Sequence, residues 1–309
     1  NIYFASIPYA YKNLVKYYGI IRLLQGNTVR TVRTSIGKIV PFTQFLKENY
    51  SAPLLSACNI SIAIRFKEYL DGSKMAESTK KSIWLQTSSL LRTMDGFEGR
   101  TIKNPFTANP YIQKMKLDYK YIPESIACKL DEVFKREEIE LHLRCVYWIL
   151  RLIPSRVSEV LAMKIDCVKP YNGKYVIFIP TWKQNGGNIE PIMRSIHIED
   201  TGIAGYLLGL IKEQKKIANQ LQTRLDVHKK GCLFSYQRIL HYKKGGTSKA
   251  GVANTMLVSF VDYHFKRICK AYDIKDNDGH IYNLTSHQFR HNGITDRLEA
   301  GFTMEQIAD

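Results

Sequence analysis

Apolar residues recur at helical spacing along most of this chain and alternate in one place. Residues 1–35 show no clear period and read as strand or extended segments with turns. From Val40 the pattern becomes helical. Pro41-Phe42-Thr43-Gln44-Phe45-Leu46 opens one helix, residues 60–70 give a second and residues 78–94 a third. Asn104-Pro105 breaks the pattern. Residues 110–123, rich in Lys and Tyr and ending at a proline, form a joint, which puts a domain boundary at 120/121. Beyond it, residues 124–135 and 138–153 predict amphipathic helices, and Pro154-Ser155 breaks the second. Ser155 is placed to cap a short helix over 156–163. Residues 174–180 alternate as a strand, Asn185-Gly186-Gly187-Asn188 reads as a turn, and residues 189–196 return as the partner strand. Residues 203–221 are helical, 223–250 loop-like and basic, and 252–272 helical. Thr285 or Ser286 caps a helix carrying His287, Arg290 and His291, and a last helix begins near Thr303. The fold class is mainly α with a small antiparallel β-sheet. It comprises a basic N-terminal region over 1–120, helical from about residue 40, and an α+β domain over 121–309.

Composition narrows the partners. The formal charge is +17 over 309 residues. Residues 1–122 hold 18 Lys/Arg against 7 Asp/Glu, a net of +11, and residues 123–309 hold 27 against 21, a net of +6. A basic globular protein attracts polyanions, nucleic acid first among them. An anionic membrane is the rival, but there is no basic amphipathic helix and no apolar run near the roughly 18 residues of a membrane helix. The six cysteines are scattered without a C-x-x-C pair, which speaks against a zinc site and for reduced, buried thiols in a cytosolic protein.

Four features carry chemistry. In Ser155-Arg156-Val157-Ser158-Glu159 an arginine opens a helix, where its planar fork suits two phosphate oxygens, and Glu159 on the same face can brace it. Taken alone, this is an ordinary surface ion pair. Lys183 sits at the hairpin tip, placed to donate a proton to a leaving oxygen; taken alone, it is an exposed turn lysine. His287-Gln288-Phe289-Arg290-His291 puts His287 and Arg290 on one face near a helix N-terminus, with Phe289 turned to the core. The fourth feature is a set of lysines read as DNA contacts: Lys80 and Lys81 in the first region, Lys229, Lys230, Lys243 and Lys244 in the second. Their plainer reading is a solvated face.

Taken together, Arg-x-x-Glu-x-Leu, a hairpin lysine and Thr-x-His-x-x-Arg-His resemble, in order and spacing, the tyrosine recombinase (phage integrase) family of site-specific recombinases and transposases of mobile elements. The resemblance spans roughly residues 40–309. It implies a helical, SAM-like core-binding domain ahead of an α+β catalytic domain, and DNA strand cleavage and rejoining through a 3′-phosphotyrosyl intermediate. Arg156 and Arg290 would hold the non-bridging oxygens of the scissile phosphate, with Glu159 supporting Arg156. Lys183 would be the general acid and His287 would assist proton transfer, while His291 would be a structural neighbour. It further implies no cofactor or metal, double-stranded DNA as partner, a tetramer on DNA and a bacterial cytoplasmic location. Phosphoryl transfer by positioning and charge stabilisation suits such a set, and the sequence shows no acidic cluster with metal-ligand spacing.

One departure stands out. The family places a further His or Trp and then the nucleophilic Tyr beyond the His-x-x-Arg box. This sequence ends 19 residues after Arg290, with no tyrosine past Tyr282. It therefore reads as an excerpt cut before its nucleophile, able to grip DNA without cleaving it. A DNA-binding pseudo-enzyme stays open beside the recombinase. A type IB topoisomerase is disfavoured because those enzymes usually carry Lys in place of the box histidine.

Overall fold

The structure is a computed structural model that describes residues 2–111, 121–182, 190–237, 251–299 and 301. The chain divides into two compact units, Asn1–Leu117 and Asp118–Asp309.

The first unit is helical: α1 (Tyr9–Leu24), α2 (Val29–Tyr50), α3 (Ile60–Asp71) and α4 (Glu77–Met94). The first two correct the extended reading of residues 1–35. In α1 the buried positions are Tyr11, Val15, Tyr18 and Gly19, a helical repeat written largely in tyrosine, which ordinarily favours strands. In α2 the repeat runs through Val32, Ile36, Ile39 and Phe42, and the Thr28 side chain accepts the Thr31 N–H as its N-cap. Pro41 lies inside this helix rather than opening one. Its missing N–H costs one helical bond, and the buried stripe on both sides of it holds the helix together. An aromatic cluster forms the core, with Phe42, Phe66 and Phe106 packed edge to face and Trp84 with its ring 4.7 Å from Phe106.

The second unit is built round α6 (Leu141–Leu152). Its residues Leu143 and Cys145–Leu150 are all buried, the signature of a helix enclosed on every side. Against it lie α5 (Glu124–Val133), the short α7 (Val157–Val160) and α8 (Gly202–Leu221). The remaining helices are α9 (Val258–Ala271) and α10 (Ser286–Glu299). A three-stranded antiparallel sheet runs β1 (Val168–Tyr171), β2 (Lys174–Thr181), β3 (Ile192–Ile198), and a small second pair joins β4 (Ser235–Gln237) to β5 (Ala253–Thr255). The return strand is thus shifted to end at Ile198, and β1 is an addition to the expected hairpin. Residues 253–255, expected in a helix, pair with β4 instead, and α9 starts only at Val258. The expected turn over 185–188 and the expected last helix from Thr303 lie outside the described residues. Among the described residues no helix is long and apolar enough to cross a membrane. Cys58, Cys145, Cys167 and Cys269 are buried free thiols, as expected, but Cys128 is exposed.

One half-buried histidine is expected to make the unit pH-sensitive. His142 on α6 lies among Tyr236 and Phe260, with ring centroids 5.3 and 6.0 Å away. Burial pushes its pKa down to about 4; Glu140 opposes the shift and His264 adds to it. Above the ordinary value of about 6.5 both folded and unfolded chains carry it neutral. As pH falls from there toward 4, only the unfolded chain takes up the proton, so stability is lost. Between about pH 7.5 and pH 4.5 this one group removes roughly 2–3 kcal/mol. Denaturant unfolding of the wild type and of His142→Phe at both pH values checks this: the variant should lose less stability by that margin, and equal losses would contradict it.

Candidate active site

The turn Pro154-Ser155 ends the buried helix α6 and delivers Arg156 in extended backbone conformation as the residue that opens α7. Ser155 does not cap this helix, as had been expected; the terminus is closed from within. Glu159 Oε2 accepts the Arg156 backbone N–H at 3.1 Å, and its Oε1 accepts Arg156 Nη1 at 2.7 Å and the Thr181 hydroxyl at 2.9 Å. Glu159 is only 4% exposed. Burial alone would raise its carboxyl, but the bonds from the Arg156 side chain, the Arg156 backbone and Thr181 outweigh burial and hold it below the usual range. The carboxylate therefore stays ionised and fixes the Arg156 fork. Thr181 ends β2, so the same carboxylate ties that strand to α7. Lys183, two residues further on, lies outside the described residues.

Helix α10 brings the second set. Gln288 Oε1 accepts the Thr285 N–H at 2.7 Å and the Thr285 hydroxyl at 3.2 Å, one half of a capping box between Thr285 and the residue three further on. Asp262 of α9 accepts the Ser286 N–H at 2.8 Å. Phe289 is buried, its ring perpendicular to Tyr147 of α6 at 5.3 Å. Asn292, also buried, pairs both ways with the Ile122 backbone, accepting at 2.8 Å and donating at 3.0 Å. Gly293 faces Pro154 so closely that a Cβ there would stand 2.6 Å from the proline Cγ. These contacts take one side of α10. Its other side carries His287, Arg290 and His291. His287 and His291 are exposed and their Nε2 atoms lie 3.2 Å apart, so one ring donates to the other.

The electrostatics connect the two arginines. Burial, and after it the positive charge of Arg156, holds the Arg290 guanidinium below its usual value, against a weaker opposite pull from Glu159. Glu159 is already engaged by Arg156 and Thr181. Two guanidinium groups thus share the one carboxylate of Glu159, which leaves a partly buried spot of net positive charge, a setting that favours an anion.

Arg194 on β3 belongs to the same cluster, and the sequence reading passed over it. Burial lowers its pKa first; Glu159 acts the other way, and Arg290, Arg297 and Arg156 add to the lowering. The signal was present in Ile192-x-Arg194-x-Ile196-x-Ile198, where an arginine occupies the phase that pairs with buried Ile177 and Ile179. Thr181 was likewise missed as the partner of Glu159.

The expected DNA-contacting lysines fare unevenly. Lys80 is buried, with its ammonium 3.1 Å from Glu77, a placement that does not offer it to a phosphate. Lys81 is half-buried, Lys229 pairs with Asp226 at 2.8 Å and Lys230 is exposed. Lys243 and Lys244 lie outside the described residues. One acidic cluster had escaped the sequence reading: Asp276, Asp278 and His280 have ligand atoms within 4.8 Å of one another. Asp276 Oδ1 there already accepts the backbone N–H groups of Asp278 and His280, closing the turn.

No protein-family model matches the chain, and no curated protein does. Solved structures do. The chain is similar to the XerH site-specific recombinase bound to difH substrate in a pre-cleavage complex, at 16% identity over 89% of this chain and 70% of that one, TM-score 0.58. It is similar to the Tn1549 transposon integrase in complex with transposon right end DNA, at 12% identity over 95% and 89%, TM-score 0.62. It is also similar to a lambda integrase dimer bound to a COC′ core site, at 16% identity over 90% and 83%, TM-score 0.56. A mainly helical chain with a small antiparallel sheet, matched along most of its length by these enzymes, has the tyrosine recombinase fold.

Proposed function

We propose that this protein is a tyrosine-type, site-specific DNA recombinase that works on a phosphodiester held between Arg156 and Arg290. What supports the reading is two arginines from separate elements: Arg156, braced by a carboxylate that Thr181 also engages, and Arg290, near enough to feel the charges of Arg156 and Glu159. Simple DNA binding needs surface cations and has no use for this construction.

In the proposed reaction a tyrosine hydroxyl attacks the phosphorus. The new bond joins the tyrosine oxygen to phosphorus, and the bond to the 5′ oxygen breaks. Arg156 and Arg290 stabilise the charge gathering on the non-bridging oxygens. His287, on the same face as Arg290, contacts the phosphate and assists the proton taken from the nucleophile. Lys183 gives a proton to the departing 5′ oxygen. Attack by a 5′-hydroxyl on the phosphotyrosine reverses the sequence, so rejoining needs no nucleotide cofactor. The resemblance assigns the nucleophile to no tyrosine of residues 1–309. Residues 1–120 act as the core-binding domain for double-stranded DNA, and the assembly on DNA is a tetramer.

The test is to incubate the protein encoded by the whole reading frame with nicked duplex DNA in a chelator. Cleavage with protein left on the 3′ end supports the recombinase. DNA bound tightly and left intact would turn the reading to a DNA-binding pseudo-enzyme. Binding itself should be strongly salt-dependent. With six or more phosphates neutralised, affinity measured by fluorescence anisotropy should fall about 10³-fold or more between about 50 and 200 mM salt. A flat dependence would contradict a phosphate-driven interface.

A further inference from the structure

Arg194 has a position that DNA binding does not explain. Its cross-strand neighbour is the fully buried Ile179, so its side chain runs along the core face of the sheet. The guanidinium ends on the turn that delivers Arg156: Nη1 donates to the Pro154 carbonyl at 3.2 Å, and Nη2 donates to the Ser155 hydroxyl. Ser155 is itself 1% exposed. Nε is buried and has no partner among the described residues. A partly buried cation kept near Arg290, Arg297 and Arg156 costs stability, as its lowered pKa records. What it gains is a two-point grip on two successive residues just before Arg156.

We propose that Arg194 is a positioning residue for the anion site. It clamps the Pro154–Ser155 turn from the sheet side, while Gly293 of α10 bears on the same Pro154 from the other side. Held between them, Arg156 stands at a fixed separation from Arg290. Lysine would keep the charge, but it lacks the planar fork that spans the Pro154 carbonyl and the Ser155 hydroxyl together.

The inference rests on the phosphodiester reading above, and it is tested without cleavage. Inorganic phosphate is titrated against the 309-residue chain by calorimetry, for wild type, Arg156→Ala, Arg194→Ala, Arg194→Lys and the double variant Arg156→Ala/Arg194→Ala. We expect Arg194→Ala to lose about tenfold or more in phosphate affinity and Arg194→Lys to recover little of it. The double variant should bind no more weakly than Arg156→Ala alone, because a residue acting through Arg156 has nothing left to position. Should Arg194→Ala fail to fold, Ser155→Ala, a smaller change that keeps the guanidinium, removes one half of the grip and should still cost several-fold. Additive losses in the double variant, full recovery with lysine, an unaffected Ser155→Ala or a wild type that does not bind phosphate would each overturn the inference. Phosphate binding with the expected coupling but no DNA cleavage would keep this inference and sink the recombinase reading.

Discussion

Replacing Arg290 or Arg156 by alanine in the protein encoded by the whole reading frame is expected to slow DNA strand cleavage by about 10³-fold or more, with no more than about a tenfold loss of DNA affinity. The asymmetry follows from where charge is needed. In the bound duplex the scissile phosphate is one of many neutralised by a chain of net charge +17, so losing one arginine removes a small share of the binding. In the transition state, the charge on the non-bridging oxygens gathers between these two forks. One preorganised donor is worth about 10²–10³ there, and an arginine supplies more than one. Arg156 has a second route to failure: without its guanidinium, the buried Glu159 keeps only the Thr181 hydroxyl and a backbone N–H. Anisotropy and single-turnover cleavage on the same preparations check the split. Equal losses in binding and cleavage would assign the arginines to plain DNA contact.

Gly293→Ala is the second large effect. In an exposed helix this substitution stabilises by about 1 kcal/mol. Here the new Cβ would stand 2.6 Å from Pro154 Cγ and 2.8 Å from its Cβ. The proline ring cannot swing away as a flexible side chain would, so either α10 or the Pro154–Ser155 turn must move. Both carry an arginine of the site. The expected cost is roughly 1–3 kcal/mol in stability from overpacking. Cleavage should fall about 100-fold, because a displacement near 1 Å is enough to spoil alignment. Thermal melts and cleavage rates decide it. A variant that melts higher than wild type and cleaves normally would show that this contact does not set the spacing of the two arginines.

Local contacts of the candidate site were more legible than the scaffold. That Glu159 braces Arg156, and that a capped turn opens the helix of His287 and Arg290, could be read because each contact joins residues three apart. Phe289 was placed toward the core from the same helical phase, and it is buried against Tyr147. Helix α1 was hidden because its core positions include Tyr11 and Tyr18, residue types that fit a strand as well. Helix α2 was cut short at Pro41, a residue that long-range packing tolerates there. Strand β1 was missed although Asn172-Gly173, both at positive φ, close a two-residue turn between Tyr171 and Lys174. Its proline and its exposed face suppress the alternation that marks β2. Arg194 was passed over because a charged residue in a strand is read as outward-facing by default, and only the register with Ile179 puts it inside. Lys80 misled in the opposite sense: its charge suggested a phosphate contact, whereas packing on α4 buries it beside Glu77. Such errors share a cause. Burial is set by contacts distant in sequence, which local pattern does not encode.

Whether Arg156 and Arg290 form one anion site is tested directly by crystallography of the 309-residue chain with tungstate, a heavy phosphate mimic. The predicted result is an anomalous peak between the two guanidinium groups, within hydrogen-bond distance of both and beside His287. A peak confined to surface lysines such as Lys230, with the space between the arginines empty at saturating tungstate, would contradict it.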